Sequence, residues 1–231
     1  MVSATLHYYY DPLCGWCYGA APLTAAAAAI PGLRVVLHAG GMMSGANRQP
    51  VSPQLRNYVM PHDQRIHALT GQPFGDAYFN GLLLDGSAVF DSTPPTLAIL
   101  AAEALAGQGL AMLHRIQQAH YAEGRRIADA AVLQALAAEL ELDDAAFAAE
   151  YQRQAGEFDA HVGRSHRDMA ANGLRGFPSL LLEVNGQLQR LDISPWLGKP
   201  SAFAGHLQTL LGGATAEQAA DGAFCTPEGC H

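Results

Sequence analysis

Two cysteines three positions apart, Cys14 and Cys17 in the stretch CGWC, are the residues whose type and spacing could carry out chemistry. A thiolate can attack a disulfide, and a second thiol one helical turn away can then resolve the mixed disulfide. CxxC is also a zinc-ligand spacing, and buried cysteines can be chemically inert. The pair therefore allows a redox dithiol, half of a metal site or a packing role.

The segments around the pair predict a strand before it and a helix after it. Residues 5–10 are aromatic and β-prone, and the turn-forming Asp11-Pro12 follows them. Residues 16–30 are small and alanine-rich, which is typical of a helix. Residues 33–41 predict a second strand with apolar residues on both faces, as in a buried parallel strand. The cysteines are therefore expected at the N-terminus of the helix in a βαβ unit.

That position favours the thiolate form of a cysteine, because free backbone N–H groups and the positive end of the helix dipole lie there. We assign Cys14, the outer cysteine, as the exposed attacking thiol and Cys17 as the resolving thiol. The intervening Gly15-Trp16 brings no positive charge. The sequence therefore predicts a less oxidising pair than one with a histidine between the cysteines.

The remainder of the chain predicts a helical block followed by a β-hairpin and a closing helix. Helical composition covers residues 96–105, 111–123, 129–140 and 143–170, and Gly156 and Gly163 could break the last of these. Two strands within residues 178–193 meet at Asn185-Gly186, a strong hairpin signal. The closing helix, residues 201–211, is expected to end at Gly212-Gly213.

This order, βαβ, helices and ββα, predicts an α/β fold of the thioredoxin type with a large helical insertion. We expect residues 1–45 and 173–213 to form the thioredoxin-fold domain and residues 46–172 to form the inserted helical domain. Residues 214–231 would be a C-terminal tail with a CX4C motif.

The tail motif places Cys225 and Cys230 on either side of Thr-Pro-Glu-Gly, which suits a type I turn that brings them together. We prefer a second dithiol that exchanges with the first. A structural disulfide and an unused tail remain alternatives. So does zinc binding with Cys14 and Cys17, with or without His231.

Charge and hydropathy exclude several classes of partner. The chain has 13 basic and 21 acidic residues, a formal net charge of −8 that repels nucleic acid and anionic lipid. Its alanine-rich apolar runs fall short of the roughly 20 residues that span a membrane. The N-terminal residues do not resemble a secretory signal, so we expect a cytoplasmic protein.

Three stretches together resemble the DsbA-like thioredoxin-fold proteins of the FrnE type: YYYDPLCGWCYG, HRIQQAHYAEGRRIADAAVLQALAAELELD and GLRGFPSLLLE. The resemblance implies a dithiol–disulfide oxidoreductase or isomerase with Cys14 as nucleophile, Cys17 as resolving thiol and Pro178 as a cis-proline facing them. It implies no metal and no organic cofactor. Some relatives carry a C-terminal CX4C, which Cys225 and Cys230 match.

Substrates are expected to lie against Trp16, Phe177 and Pro178, where the backbone before the proline can pair with an extended peptide. The partners would be protein or small-molecule thiols and disulfides, including glutathione. The chain also resembles kappa-class glutathione transferases and hydroxychromene-carboxylate isomerases, which share this fold and its insertion. Those proteins have a serine at the position of Cys14. A glutathione-linked transferase or isomerase is therefore one alternative, and a non-catalytic zinc-binding module is another.

Overall fold

The computed structural model describes residues 4–220 and, in the tail, residues 225–226 and 229–230, with side chains described for residues 4–212. The strands are β1 (Ala4–Tyr10), β2 (Leu33–Ala39), β3 (Gln49–Pro50), β4 (Val89–Phe90), β5 (Ser179–Val184), β6 (Gln187–Leu191), β7 (Cys225–Thr226) and β8 (Gly229–Cys230). The α-helices are α1 (Gly15–Ala28), α2 (Pro53–Thr70), α3 (Thr93–Ala106), α4 (Gly109–Tyr121), α5 (Ala130–Glu139), α6 (Asp144–Ala171) and α7 (Pro200–Ala220). Short helical turns cover Gly45–Asn47, Ala77–Gly81, Leu82–Leu84 and Ser194–Trp196.

The main sheet has four strands in the order β2-β1-β5-β6. Strand β1 is parallel to β2 and antiparallel to β5, and β5 is antiparallel to β6. Helix α1 connects the parallel pair, and the closing helix α7 packs against α1. The predicted thioredoxin fold with a helical insertion is confirmed.

Strand β2 differs from the prediction of a strand buried on both faces. It lies at the edge of the sheet, its ends Leu33 and Ala39 are buried, and Arg34 is exposed. An edge strand has a neighbour on only one side, so its middle residues stay half-buried. Helix α6 also packs against this strand.

The predicted hairpin between β5 and β6 is confirmed. Asn185 and Gly186 both have positive φ, at 52° and 80°, which a two-residue type I′ turn requires. The register pairs Val184 with Gln187 across the turn.

Helix α2 belongs to the block between β2 and β5, but it was not among the helical segments predicted from the sequence. Its N-terminus has a regular capping pattern: Ser52 accepts a hydrogen bond from the Leu55 amide at 3.1 Å, and Pro53 occupies the first turn. Gly71, with φ of 73°, ends the helix. The segment is mostly polar, and only a narrow apolar face packs on α1, so its composition did not indicate a helix.

Two predictions were wrong, one about breaks within a helix and one about where a helix ends. Helix α6 runs without interruption through Gly156 and Gly163, starting after Asp143, whose side chain accepts a hydrogen bond from the Ala146 amide at 2.8 Å. Helix α7 continues past Gly212-Gly213 to Ala220. A glycine inside a helix costs only about 1 kcal/mol relative to alanine, so a long helix packed on its neighbours tolerates one.

One buried cluster runs from the sheet into the helical block. It includes Leu6 and Tyr8 of β1, Leu23 of α1, Leu113 of α4 and Phe147 of α6. The helices of the block therefore pack over the end of β1, and the two cysteines follow directly after that end. The division into domains at residues 45, 172 and 213 stays a prediction.

Candidate active site

Cys14 is the N-cap of helix α1 and has an extended backbone, with φ of −87° and ψ of 111°. Its carbonyl accepts hydrogen bonds from the amides of Cys17 and Tyr18 at 3.0 and 3.1 Å. Its Sγ also accepts from the Cys17 amide, at 3.3 Å. The structure thus places this sulfur at the free N–H groups of the helix, as the sequence predicts.

Cys17 lies one turn further along α1 and is fully buried, with 0% exposure. Burial raises the pKa of its thiol well above the usual value, and contact with Cys14 raises it further. The carbonyl of Cys17 accepts a hydrogen bond from the Tyr8 hydroxyl at 3.3 Å. Both thiols are free in the structure.

The prediction of an exposed attacking thiol needs correction, because Cys14 is only 7% exposed. Side chains from the helical block and from the Phe177 loop surround it. Access to this sulfur is therefore through the cavity whose wall it forms.

The loop before β5 lies directly against Cys14. The Phe177–Pro178 peptide bond is cis, as the family resemblance implies. The Sγ–H of Cys14 donates to the carbonyl oxygen of Phe177 at 3.5 Å. Trp16, Phe177 and Pro178, the predicted substrate-binding residues, all line one groove of about 370 Å³.

A second cavity, of about 360 Å³, has Cys14 itself in its wall and shares Trp16 and Phe177 with the groove. Its walls are apolar for the most part and come largely from helix α2 and the loop after β2. They include Met42, Met43, Tyr58, Val59 and Phe90. This volume is within the range of pockets that bind small molecules.

Asp63 is a buried carboxyl group in the wall of this second cavity that the sequence analysis missed. The residue is 3% exposed, and its Oδ2 accepts a hydrogen bond from the Tyr78 hydroxyl at 2.9 Å. Its Oδ1 lies beside Gly15, 2.7 Å from where a Cβ would stand there. A signal was present, because Asp63 shares one face of α2 with the buried Ile66 three residues later.

Burial raises the pKa of Asp63 from its usual value to about 7, although the Tyr78 hydrogen bond partly opposes the shift. A carboxyl group of this kind holds its proton more tightly in the folded chain than in the unfolded chain. Its ionisation therefore destabilises the fold, and stability falls as the pH rises from about 4 to about 7.

We expect Asp63→Asn to remove this loss of stability. Asparagine still offers an oxygen to the Tyr78 hydroxyl but carries no charge. The free energy of unfolding of the variant, relative to wild type, should rise by about 1.4 kcal/mol per pH unit within that window. Urea unfolding at several pH values measures the difference, and a difference that does not change with pH would contradict the assignment.

A matched variant, Tyr78→Phe, should act in the opposite direction. It removes the hydroxyl that lowers the pKa of Asp63, so the loss of stability should still begin near pH 4 but should continue to a higher pH than in wild type. Any pH dependence from other buried carboxyl groups is common to all three proteins and cancels in the comparison.

Asp11 fixes the loop before Cys14 to the rest of the protein. Its Oδ1 accepts from the Leu13 amide at 2.9 Å and the Ser92 hydroxyl at 2.8 Å, and its Oδ2 accepts from the Met42 amide at 2.6 Å. Burial raises its pKa to about 6, although these bonds lower it. The sequence marked Asp11 only as a turn residue, since its partners are distant along the chain.

Within the described residues, no group of three or more His, Cys, Asp or Glu side chains is arranged to hold a metal ion. The predicted second dithiol, Cys225 and Cys230, has side chains outside the described part of the chain. No helix in that part is long and apolar enough to cross a bilayer.

The chain is similar to known proteins over nearly its whole length. The profile of the family described as DSBA-like thioredoxin domain matches residues 5–203. The cytosolic disulfide reductase DsbM from Pseudomonas aeruginosa is 58% identical, with a TM-score of 0.85, over 90% of this chain and 98% of that chain. A structure of the same protein with GSH gives 56% identity and a TM-score of 0.83, at the same coverage of 90% and 98%.

A putative protein disulfide isomerase from Nitrosomonas europaea is 25% identical, with a TM-score of 0.73, over 90% of this chain and 98% of that chain. A search of curated proteins finds no match. The profile and the three structures extend over nearly the whole chain, including the helical block.

Proposed function

Because this chain belongs to the family of DSBA-like thioredoxin domains, we propose that it is a thiol–disulfide oxidoreductase that works through Cys14 and Cys17. One observation carries the assignment of residues. A thiol in the wall of a cavity and a fully buried thiol share the first turn of α1, with the cis-proline loop against the outer sulfur. That is the arrangement a two-step exchange requires.

In the reducing direction, the Cys14 thiolate attacks a substrate disulfide, forms a mixed disulfide and releases the first substrate thiol. Cys17 then loses its proton and attacks Sγ of Cys14, which releases the second substrate thiol. Two electrons pass from the protein dithiol to the substrate, and the two thiol protons end on the two products. The reverse sequence oxidises a dithiol.

The Phe177–Pro178 loop would align the substrate. The carbonyl oxygen of Phe177 faces Cys14, so a disulfide held along this loop would present its sulfur to the nucleophile. An extended substrate backbone next to the loop would gain main-chain hydrogen bonds, as in short β-strand addition. Trp16 would contact the substrate on the other wall of the groove.

Reduction is the direction we propose, in the cytoplasm and with glutathione among the partners. The relative at 58% identity is described as a cytosolic disulfide reductase, and a structure of it contains GSH. In the described part of this chain, no cationic side chain makes a hydrogen bond or ion pair with either sulfur. Less stabilisation of the reduced form gives a more reducing pair.

The tail cysteines Cys225 and Cys230 are proposed as a second dithiol that exchanges with the first. Their spacing around a Pro- and Gly-containing turn supports a disulfide between them. The competing role of the tail is zinc binding, in which Cys225 and Cys230 would join Cys14 and Cys17 as ligands.

A glutathione redox titration tests the proposal. Wild type, Cys14→Ser and Cys225→Ser would be equilibrated with glutathione buffers, quenched with acid, alkylated and read by intact mass, with zinc assayed on the same samples. We expect a two-electron step that is lost in Cys14→Ser, with a potential closer to the thioredoxin value of about −270 mV than to about −120 mV.

A second step lost only in Cys225→Ser would establish the tail dithiol. A titration with only the Cys14 step would leave the tail without a redox role. Stoichiometric zinc with no reversible step would overturn the oxidoreductase assignment.

A further inference from the structure

We propose that Arg65 binds a carboxylate of the substrate in the groove beside Cys14 and thereby selects small peptide disulfides with free carboxylates, such as glutathione disulfide, over neutral disulfides. The inference rests on the proposed function and names its substrate class. It follows from the composition of the groove, from the environment of the guanidinium group and from the charge of the whole protein.

The groove combines apolar side chains with two polar ones, Arg65 and Ser194. Eight described residues line it: Trp16, Arg65, Leu69, Phe177, Pro178, Ile193, Ser194 and Leu197. Arg65 is the only charged residue among them. The volume of about 370 Å³ suits a small molecule or a few residues of a peptide. A substrate here meets Phe177 and Pro178 at one wall and a single cation at another.

The guanidinium group of Arg65 lies over the indole ring of Trp16, 5.7 Å from the ring centroid. Such a cation–π contact holds the cation near the ring without using its N–H donors. Among the described residues, Arg65 makes no ion pair and no hydrogen bond. The side chain is exposed, and among the described residues Arg34 is likewise exposed and without an ion pair, so the position at the groove is what distinguishes Arg65.

An arginine without an ion pair at the wall of a groove is suited to a carboxylate. Its planar group offers two parallel N–H donors that match the two oxygens of a carboxylate. Trp16 follows Cys14 by two residues, and the carbonyl of Phe177 lies 3.5 Å from the Cys14 sulfur. A ligand that places its disulfide at Cys14 can therefore extend past Trp16 to Arg65.

The net charge of the protein makes this contact more consequential. With a formal net charge of −8, the surface as a whole repels an anionic disulfide. A local cation at the groove would offset that repulsion where the substrate enters. A neutral disulfide experiences neither effect, so the two substrate types should respond differently to Arg65.

The test measures the oxidation of the reduced protein by a disulfide, which converts the protein dithiol into a disulfide and the added disulfide into two thiols. Glutathione disulfide is the anionic probe and bis(2-hydroxyethyl) disulfide is the neutral probe. Rates are read by acid quench, alkylation and intact mass over a range of disulfide concentration. All proteins carry Cys225→Ser and Cys230→Ser, so that only Cys14 and Cys17 react.

We expect Arg65→Gln to lower the second-order rate constant for glutathione disulfide by about fivefold, the upper end for an ion pair at an exposed side chain. This loss should come from a higher half-saturating concentration of glutathione disulfide and not from a lower maximal rate. The rate with the neutral probe should change less than about twofold. Arg65→Lys keeps the charge without the planar fork, so its rate should be intermediate.

Arg34→Gln is the matched control, since it removes the same charge from an exposed arginine outside the groove. It should leave the ratio of the two rates unchanged. Added salt should speed the glutathione reaction of Arg65→Gln, because it screens the repulsion from the net charge. It should speed the wild-type reaction less, or slow it, because it also screens the contact with Arg65. Equal effects of Arg65→Gln on both probes, or no effect on either, would overturn the proposal. Failure of wild type to react with either probe would instead refute the proposed function.

Discussion

Replacing Cys17 with serine should convert the protein into a stable mixed disulfide with its substrate. Cys14 keeps its position at the first turn of α1 and can still attack, but no thiol remains next to the new bond. Well-oriented groups within one molecule react as though present at about 10⁵ M or more. External glutathione at millimolar concentration cannot replace that, so resolution should slow by several orders of magnitude.

The measurement uses the reduced variant, mixed with glutathione disulfide and analysed by intact mass after acid quench. Cys17→Ser should accumulate one glutathione adduct on Cys14, whereas the wild type should pass to an internal disulfide. Both proteins carry Cys225→Ser and Cys230→Ser, because a tail thiol could resolve the adduct. Restoring the tail cysteines then shows whether they reach Cys14, since the adduct would disappear.

Cys14→Ser is the control for the direction of attack. Cys17 is fully buried and its thiol pKa is raised, so it should form no adduct on the same time scale. An adduct on Cys17 at a rate similar to that of Cys14 would contradict the assigned roles. Absence of any adduct in Cys17→Ser would contradict Cys14 as the nucleophile.

The parts of the site that follow from neighbouring residues could be predicted from the sequence. The aromatic strand, the Asp11-Pro12 turn and the small residues after Cys14 determine a strand, a turn and a helix locally. The Asn185-Gly186 turn needs positive φ at both positions, which its residue types supply. The placement of the dithiol and the order of the sheet therefore follow from local patterns.

The walls of the site could not be predicted in this way, because they depend on contacts between distant segments. Asp63 and Arg65 lie on a helix with mixed composition, and nothing near them in sequence indicates that one packs beside Gly15 and the other over Trp16. The role of Asp11 could not be predicted for the same reason, since its hydrogen-bond partner Ser92 is 81 residues away in the sequence. The proposed specificity thus depends on side chains of helix α2, whose position only the tertiary structure gives.

A close contact between two backbone segments holds one of these walls in place. The amide of Gly75 donates to the carbonyl of Tyr121 at 2.9 Å. A Cβ on Gly75 would lie 1.9 Å from the Ala122 carbonyl oxygen, and one on Gly124 would lie 2.2 Å from the Ala77 carbonyl oxygen. The contact positions Tyr78 and Tyr121, whose rings meet edge to face in the wall of the second cavity.

Gly124→Ala should therefore be among the most destabilising single substitutions in the chain. Its φ of 66° is unfavourable for alanine by about 1–2 kcal/mol. The clash is with backbone atoms, which cannot rotate away, and overpacking of this kind adds about 1–3 kcal/mol or more. We expect a total loss of about 2–5 kcal/mol in the free energy of unfolding.

Two other glycines separate these two causes. Gly107 has φ of 64° and nothing within 4 Å of a Cβ, so Gly107→Ala should show the backbone cost alone. Gly75 has the clash without a positive φ, so Gly75→Ala should show the steric cost alone. Urea unfolding of the three variants, compared at equal m-value, gives the three losses. If Gly124→Ala and Gly107→Ala lost the same free energy, the close packing of these segments would be refuted, and with it the rigid wall that holds Tyr78 against Asp63.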